Sequence, residues 1–337
     1  MQRHYTLIND STSYRHIGCD AVVATIRRAA ALRGYVEVAR SPAGRFFSDK
    51  YEPLLRDSEL MVINGEGTLH DDVPACQGIA YFAAIAKERG KRVALVNCSY
   101  SGNSAVTTRL LSGCDVLAFR DRQSARAFAP DSEHFVTGDL SLHSFAALER
   151  RPTGRICFTD SVTPAATQSL AELGCRLGAH YAPVKDSTFY PFSDTVRFGA
   201  AHLRRYPAQL AKAAGSLWSA ARQCDRRGFE REMQSASLLV TGRFHAVVFC
   251  LRNSIPFYFA PSNTGKIEWL LEDAGLDPRS RTLNKLESQL AGGRTPAQIV
   301  RDAAFSPAEG EAIAAYLQRQ AISVAAVMDR VFTATPD

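Results

Sequence analysis

The stretch that decides the fold is residues 236–261, ASLLVTGRFHAVVFCLRNSIPFYFAP. Residues 238–240 form a short apolar run closed by Gly242, which indicates a buried strand that ends at a turn. Residues 244–251 are apolar over the length of a helix. Residues 255–260 indicate a second strand, whose proline lies near its start, where a missing N–H does least harm. A strand, a turn, a helix and another strand predict a parallel βαβ unit.

Arg243 and His245 fall where the first of these strands ends and the helix begins. Open α/β sheets bind their ligands at the carboxyl ends of strands, and a helix N-terminus offers N–H groups to an anion. The two side chains therefore suit anion binding and proton handling. Two simpler interpretations stay open at this point: Arg243 pairs with a carboxylate, and His245 is only hydrogen-bonded near the core.

The chain length favours two domains, because 337 residues exceed the usual size of one hydrophobic core. A charged segment with a proline, residues 146–153, is the best candidate for the linker. We expect an N-terminal Rossmann-like domain over 1–150, a second one over 151–305, and a C-terminal helix over 306–337 that packs across both.

Composition narrows the function classes. No apolar run approaches the roughly 20 residues that span a bilayer, the N-terminus lacks a signal peptide's apolar core, and the eight cysteines include no C-x-x-C pair. These features predict a cytoplasmic protein. The net charge of +6 favours anionic substrates or peripheral contact with a membrane surface. Nucleic acid is not expected as a partner, because no basic helix with interleaved aromatic residues is present.

Strands and helices alternate through the first half of the chain, which predicts a parallel sheet covered on both faces. One strand ends in the turn Gly65-Glu66-Gly67, which is neither a Rossmann nor a Walker loop. Arg120 ends another strand, and the polar loop 9–20 follows the first. Within that loop we expect Gly18 to permit a turn, and Asp20 to be an N-cap or a ligand group. Because residues 58–65 resemble residues 237–242, two similar domains are expected to face a cleft.

Three motifs together resemble the polysaccharide pyruvyl transferase family. Residues 62–70, VINGEGTLH, are similar to its GGG-x-L loop, and residues 119–124, FRDRQS, to its R-[DE]-x-x-S element. Residues 240–246, VTGRFHA, followed by Ile255 and Pro256, are similar to its [ST]-D-R-[LF]-H-A…G-[IV]-P block, the most specific of the three. The order and spacing of the motifs agree over about residues 5–275.

The resemblance implies a GT-B-like fold and transfer of pyruvate from phosphoenolpyruvate to a sugar as a ketal. It assigns Arg120 and Arg243 to the phosphate and carboxylate of the donor, with His245 beside them. The chain departs from the family pattern at three places. Glu66 replaces the middle glycine, Gly242 stands where an aspartate is common, and the N-terminal N-x-G-D becomes residues 16–20, HIGCD.

The predicted reaction is part of cell-surface or exopolysaccharide biosynthesis, with a sugar or lipid-linked saccharide as acceptor. In our hypothesis His245 is the general acid, and Glu66 or Asp20 accepts a proton from the acceptor hydroxyl. No metal or cofactor is expected, and segment 185–227 is expected to shape the acceptor pocket. The predicted site comprises catalytic His245, Arg243, Arg120 and Glu66, donor-binding Gly65, Gly67, Thr68 and Lys266, and acceptor-binding Asn9, His16 and Asp20.

Two alternatives remain. In a GT-B glycosyltransferase, Arg243 and Lys266 would neutralise the diphosphate of a nucleotide-activated sugar. In a non-catalytic member of the family, the altered glycine loop would bind sugar or a partner without turnover.

Overall fold

The structure, a computed structural model, describes residues 2–44, 51–130, 134–185 and 226–333. Most of the segment predicted to shape the acceptor pocket, residues 186–225, lies outside the described residues.

The chain divides into two compact units. The first comprises Met1–Tyr14, Cys19–Ser144 and Tyr316–Asp337, and the second comprises Arg15–Gly18 and Phe145–Ala315. A four-residue segment near the N-terminus is grouped with the second unit, and the residues from Tyr316 onward are grouped with the first. The predicted domain bounds stay a prediction.

The first unit is built on a six-stranded parallel sheet. Its strands lie in the order β2-β1-β3-β4-β5-β6, and each neighbouring pair is parallel. All five residues of the central β3, LMVIN, are buried, as a strand covered on both faces requires. The strands are β1 Arg3–Asp10, β2 Tyr35–Pro42, β3 Leu60–Asn64, β4 Arg92–Cys98, β5 Val116–Phe119 and β6 Phe135–Val136.

Helices cover both faces of this sheet, and two apolar clusters form the core on its two sides. The helices are α1 Ile17–Leu32, α2 Tyr51–Arg56, α3 Pro74–Glu88, α4 Ala105–Ser112 and α5 Arg122–Phe128. The second cluster includes the last turns of the C-terminal helix, which therefore contributes to the core of the first unit.

The second unit contains a four-stranded parallel sheet in the order β10-β9-β7-β8. Its strands are β7 Arg155–Ser161, β8 His180–Tyr181, β9 Ala236–Gly242 and β10 Phe257–Phe259. Among the described residues from 145 onward, the helices are α6 Pro164–Leu177, α7 Arg226–Ser235, α8 Phe244–Arg252, α9 Lys266–Asp273, α10 Leu283–Ala291, α11 Pro296–Asp302 and α12 Pro307–Thr333.

The predicted βαβ unit is confirmed as β9, α8 and β10. Every residue of β9 is buried, and so is α8 up to Leu251, because both elements pack inside the second unit. The α/β class with parallel sheets is confirmed as well. The GT-B-like arrangement implied by the resemblance stays a prediction. Among the described helices, none is long and apolar enough to cross a membrane.

We predict that the end of α12 is needed for the stability of the first unit. The ring of Phe332 is fully buried against Tyr5 and Tyr35, with centroids 5.6 and 5.3 Å away. Phe332→Ala should therefore lower the free energy of unfolding by about 3–5 kcal/mol in chemical denaturation. Ile322→Ala on the same helix, where the side chain is 65% exposed, should change it little. Equal effects of the two substitutions would contradict this packing.

Candidate functional site

In the second unit, Arg243 follows β9 and occupies the N-cap position of α8. Its guanidinium pairs with Asp160, a residue of the neighbouring strand β7, through both carboxylate oxygens; the Nε–Oδ1 distance is 2.9 Å. The backbone N–H of Arg243 donates to Thr241 Oγ1 at 3.0 Å. A bidentate ion pair of this kind fixes the plane of the guanidinium as well as its position. The arginine is therefore held in one orientation at the carboxyl edge of the sheet.

Gly242 leaves no room for a side chain, and the acidic partner of Arg243 comes from β7. A Cβ atom on Gly242 would lie 2.3 Å from the Cβ and 2.9 Å from the Cα of Ser161. Strands β7 and β9 would have to separate to admit an aspartate there. Asp160, one residue before Ser161, supplies a carboxylate to the same edge.

His245 lies in the first turn of α8, and its ring packs against that of His16. The two rings are buried, their centroids are 5.2 Å apart, and their planes are tilted by 57°. A Cβ atom on Gly18 would lie only 2.0 Å from His245 Cγ, so a glycine is required at that position in α1. Gly18 therefore serves close packing in a helix. The prediction that it permits a turn is wrong.

Cationic side chains lie near the His16 imidazole. The pKa of His16 lies well below its usual value, first because the ring is buried, and then because His245, Arg243, Lys185 and Lys266 place positive charge near it. A ring nitrogen of His16 lies within 4.8 Å of one of His245, so one small group can contact both. The surrounding charge favours an anion over a metal cation in that position. Metal independence itself stays a prediction.

Lys185 and Lys266 reach this cluster from different elements. Residues 16 and 185 form an isolated antiparallel bridge, and Ile17 N donates to Val184 O at 3.0 Å. Lys266 is the first residue of α9, and its Nζ donates to Asn263 Oδ1 at 2.9 Å. We refer to His16, Lys185, Arg243, His245 and Lys266 as the basic cluster.

In the first unit, the Gly65-Glu66-Gly67 turn closes the end of β3. The carboxylate of Glu66 is buried and accepts from Ser11 Oγ at 2.8 Å and from Cys19 Sγ at 3.1 Å. Burial and the nearby Glu66 charge raise the pKa of the Cys19 thiol well above its usual value, so the thiol remains protonated and donates. Glu66 is thus part of a buried hydrogen-bonded network.

The two glycines of this turn have different roles. Gly67 has φ of 68°, a backbone conformation that favours glycine. A Cβ on Gly65 would lie 2.5 Å from the Cβ of Cys98, so Gly65 permits the close approach of β3 and β4. Thr68 is half-buried, and its Oγ1 donates to Gly65 O at 3.4 Å.

The polar groups predicted to bind the acceptor separate into different environments. Asn9 is fully buried with φ of 63°, and its Nδ2 donates to Asn64 O at 2.6 Å, which ties β1 to β3. Asp20 lies in the first turn of α1 and is half-buried. Its prediction as an N-cap is wrong, because α1 begins three residues earlier and His16 takes the capping position. His16 belongs to the basic cluster.

Arg120 forms a buried ion pair. Its Nη1 lies 3.1 Å from Asp139 Oδ2, and the two side chains are 3% and 0% exposed. Its Nε and Nη2 donate to Ser99 Oγ at 3.1 and 2.7 Å. These contacts tie the end of β5 to the neighbouring segments of the first unit. They give Arg120 a structural role in the first unit, and the donor contact implied by the resemblance stays a prediction.

The predicted site residues thus fall into two groups. Arg243, His245, Lys266 and His16 come together in the second unit, whereas Glu66, Gly65, Thr68, Asn9, Asp20, Gly67 and Arg120 belong to the first. The sequence interpretation missed Asp160 and Lys185. Asp160 ends a predicted strand, and the rule that led to Arg243 applies to it equally. Lys185 carries no comparable signal.

No family profile matches the chain, and no curated protein matches it. Several solved structures are similar to it. An uncharacterised protein from Klebsiella pneumoniae subsp. pneumoniae NTUH-K2044 is 12% identical over 83% of this chain and 91% of its own, with a TM-score of 0.45. An alpha-glucosyltransferase in complex with UDP-glucose and abasic DNA is 9% identical over 96% of this chain and 99% of its own, with a TM-score of 0.42. Scores this low carry no argument about function.

We predict that Arg120 stabilises the fold. Arg120→Ala would leave the Asp139 carboxylate buried without its cation, so the free energy of unfolding should fall by about 3–5 kcal/mol. The control is Arg151→Ala, whose ion pair with Glu149 is exposed on both sides and should contribute about 0–1 kcal/mol. Urea denaturation measures both variants. A loss for Arg120→Ala as small as that of the control would contradict the structural role.

We also predict that Gly18 cannot be replaced without displacing His245. Alanine normally stabilises a helix relative to glycine by roughly 0.5–1 kcal/mol, but the clash with the imidazole should make Gly18→Ala destabilising by about 1–3 kcal/mol. Gly310→Ala in α12 is the matched control, because a Cβ there meets nothing within 4 Å. Thermal unfolding should show opposite signs for the two variants. Stabilisation by both would show that the ring does not pack on Gly18.

Proposed function

We propose that the protein is a transferase whose second unit binds phosphoenolpyruvate, and that it moves the pyruvyl group to hydroxyls of a saccharide, forming a ketal. The observation that supports this proposal is the basic cluster at the carboxyl edge of a parallel sheet. The R-F-H-A motif, which supplies two members of the cluster, is the most specific part of the resemblance to the polysaccharide pyruvyl transferase family.

Charge balance supports an anionic donor. Arg243, Lys185 and Lys266 contribute three positive charges and Asp160 one negative charge, a formal balance of +2 with the imidazoles counted as neutral. Phosphoenolpyruvate carries one carboxylate charge and, with a second phosphate pKa near 6, roughly 1.5 to 2 phosphate charges at neutral pH. Protonation of one imidazole brings the cluster to +3, which matches the donor. Such a proton is also what the first step of the reaction transfers to C3 of phosphoenolpyruvate.

Each member of the cluster has a role in this proposal. Arg243, oriented by Asp160, presents a planar cation suited to a carboxylate or phosphate. The lysines are point charges that neutralise the phosphate. His245 is the general acid. Arg120, which the resemblance would place on the donor, is not needed for this binding mode.

The reaction is an addition followed by a substitution. The imidazolium of His245 donates its proton to C3 of phosphoenolpyruvate. The C2–C3 double bond is lost, C3 becomes a methyl group and C2 becomes electrophilic. One saccharide hydroxyl then forms a C–O bond to C2. A second hydroxyl then displaces inorganic phosphate from C2, which completes the ketal. The two hydroxyl protons leave to a base and to the departing phosphate. Glu66 or Asp20 as that base stays a prediction.

The test is thermal unfolding with phosphoenolpyruvate against a panel of nucleotide sugars. At 100 times its dissociation constant, a bound ligand adds about 2.7 kcal/mol of stability. We expect phosphoenolpyruvate to raise the Tm of the wild type. Arg243→Lys should largely abolish the shift, because lysine keeps a charge beside Asp160 but lacks the planar fork.

The control is Arg252→Ala, at the exposed C-terminal end of the same helix α8, which should keep the full shift. A shift with a nucleotide sugar and none with phosphoenolpyruvate would overturn pyruvyl transfer in favour of a glycosyltransferase. A phosphoenolpyruvate shift that survives Arg243→Lys unchanged would place the donor elsewhere.

A further inference from the structure

His16 is the N-cap of α1. The helix begins at Ile17, and the N–H of Gly18, at its second position, donates to His16 Nδ1 at 3.1 Å. Imidazole is not among the usual capping groups, which are hydroxyl, carboxylate and amide oxygens. A ring nitrogen that accepts a hydrogen bond holds no proton, so the neutral ring carries its proton on Nε2.

Four features of this environment oppose a positive charge on His16. The ring is buried, 7% exposed. It caps a helix N-terminus, where the macrodipole disfavours cations. Protonation of Nδ1 would break the bond to Gly18. The groups whose charge acts most strongly on it, His245, Arg243, Lys185 and Lys266, all oppose a positive charge on the ring. Each feature acts in the same direction.

We propose that His16 is a neutral hydrogen-bond donor in the phosphoenolpyruvate site. It holds one tautomer, with its Nε2–H available to the anion, and His245 is therefore the histidine that is protonated when phosphoenolpyruvate binds. This inference rests on the proposed function and assigns the proton within it. His16 is then a positioning residue for the donor. It differs from the acceptor-binding role predicted from the sequence.

The arrangement has a chemical consequence for the transfer. If both imidazoles were protonated, they would repel one another, and a dianion between them would stabilise both charges. Neither ring would then be favoured as the proton donor. With His16 confined to its neutral form, the single added proton resides on the imidazole that follows Arg243 in the chain. The neutral ring still contributes one N–H to the phosphate or carboxylate.

The test compares His16→Asn and His16→Asp, with the wild type as reference. Both residues are among the best N-caps, so both should retain α1. Asparagine reproduces the acceptor and the neutral N–H donor of His16. Aspartate keeps the cap but adds a negative charge. Calorimetric titration with phosphoenolpyruvate, in two buffers of different ionisation enthalpy, gives the affinity and the number of protons taken up.

We expect His16→Asn to bind phosphoenolpyruvate more weakly than the wild type, because its amide N–H lies on a shorter side chain. We expect it to take up the same number of protons on binding, because His16 stays neutral in the wild type. We expect His16→Asp to bind at least tenfold more weakly. A smaller proton uptake by His16→Asn would show that His16 is the protonated histidine and would overturn the proposal. Unchanged affinity in His16→Asp would overturn it as well, because the side chain would not face the donor.

The role of His16 can be tested separately from pyruvyl transfer. If the wild type binds inorganic phosphate but not phosphoenolpyruvate, pyruvyl transfer fails, and the same two variants titrated with inorganic phosphate decide the role of His16. A chelator added to the wild type should leave the phosphoenolpyruvate affinity unchanged. A loss of affinity would show that a metal ion occupies the position between the imidazoles and would overturn the neutral-donor role.

Discussion

A parallel sheet that is buried on both faces confines polar chemistry to the ends of its strands. Along β3 and β9 every side chain is buried, and a charged group there would be costly without a partner. Side chains that handle charge therefore begin where the strands end, at Arg120 after β5 and at Arg243 after β9. Both units of this protein place their charged side chains at strand ends, but they balance that charge differently.

The first unit neutralises its strand ends internally. Arg120 pairs with Asp139, Glu66 accepts from a hydroxyl and a thiol, and Asn9 bonds to the backbone of β3. Groups held in this way stabilise and specify a fold. In the part of the second unit that the structure describes, the basic cluster combines three cations and two imidazoles with the carboxylate of Asp160. An excess of positive charge costs stability unless an anion offsets it, which is why we place donor binding there.

The sequence was sufficient to predict the elements that follow from apolar pattern. The β9–α8–β10 unit was predictable because each apolar run has the length of one element and ends at glycine, asparagine or proline. The start of α1 was not predictable in the same way. Asp20 has the residue type of an N-cap, whereas His16 caps through a ring nitrogen, an arrangement that depends on the tautomer and not on residue preference.

Long-range pairing explains the other differences. Arg120 and Arg243 both follow a strand, and the local sequence does not reveal which one meets a buried carboxylate. The partner of Arg120 is 19 residues away and that of Arg243 is 83 residues away, so each pair exists only after neighbouring strands have aligned. Gly18 illustrates the same limit. Its lack of a side chain suggested a turn, but the reason for it is the His245 ring, more than 200 residues later in the chain.

The most direct test of the central claim, that the basic cluster binds the donor, is NMR of the imidazole nitrogens during titration with phosphoenolpyruvate. The chain has eight histidines, and substitution of each by asparagine assigns its signals. We predict that only His16 and His245 respond, that His245 gains a proton, and that His16 keeps the Nε2–H form throughout. A response confined to histidines of the first unit, such as His134 or His143, or no response at saturating ligand, would contradict it.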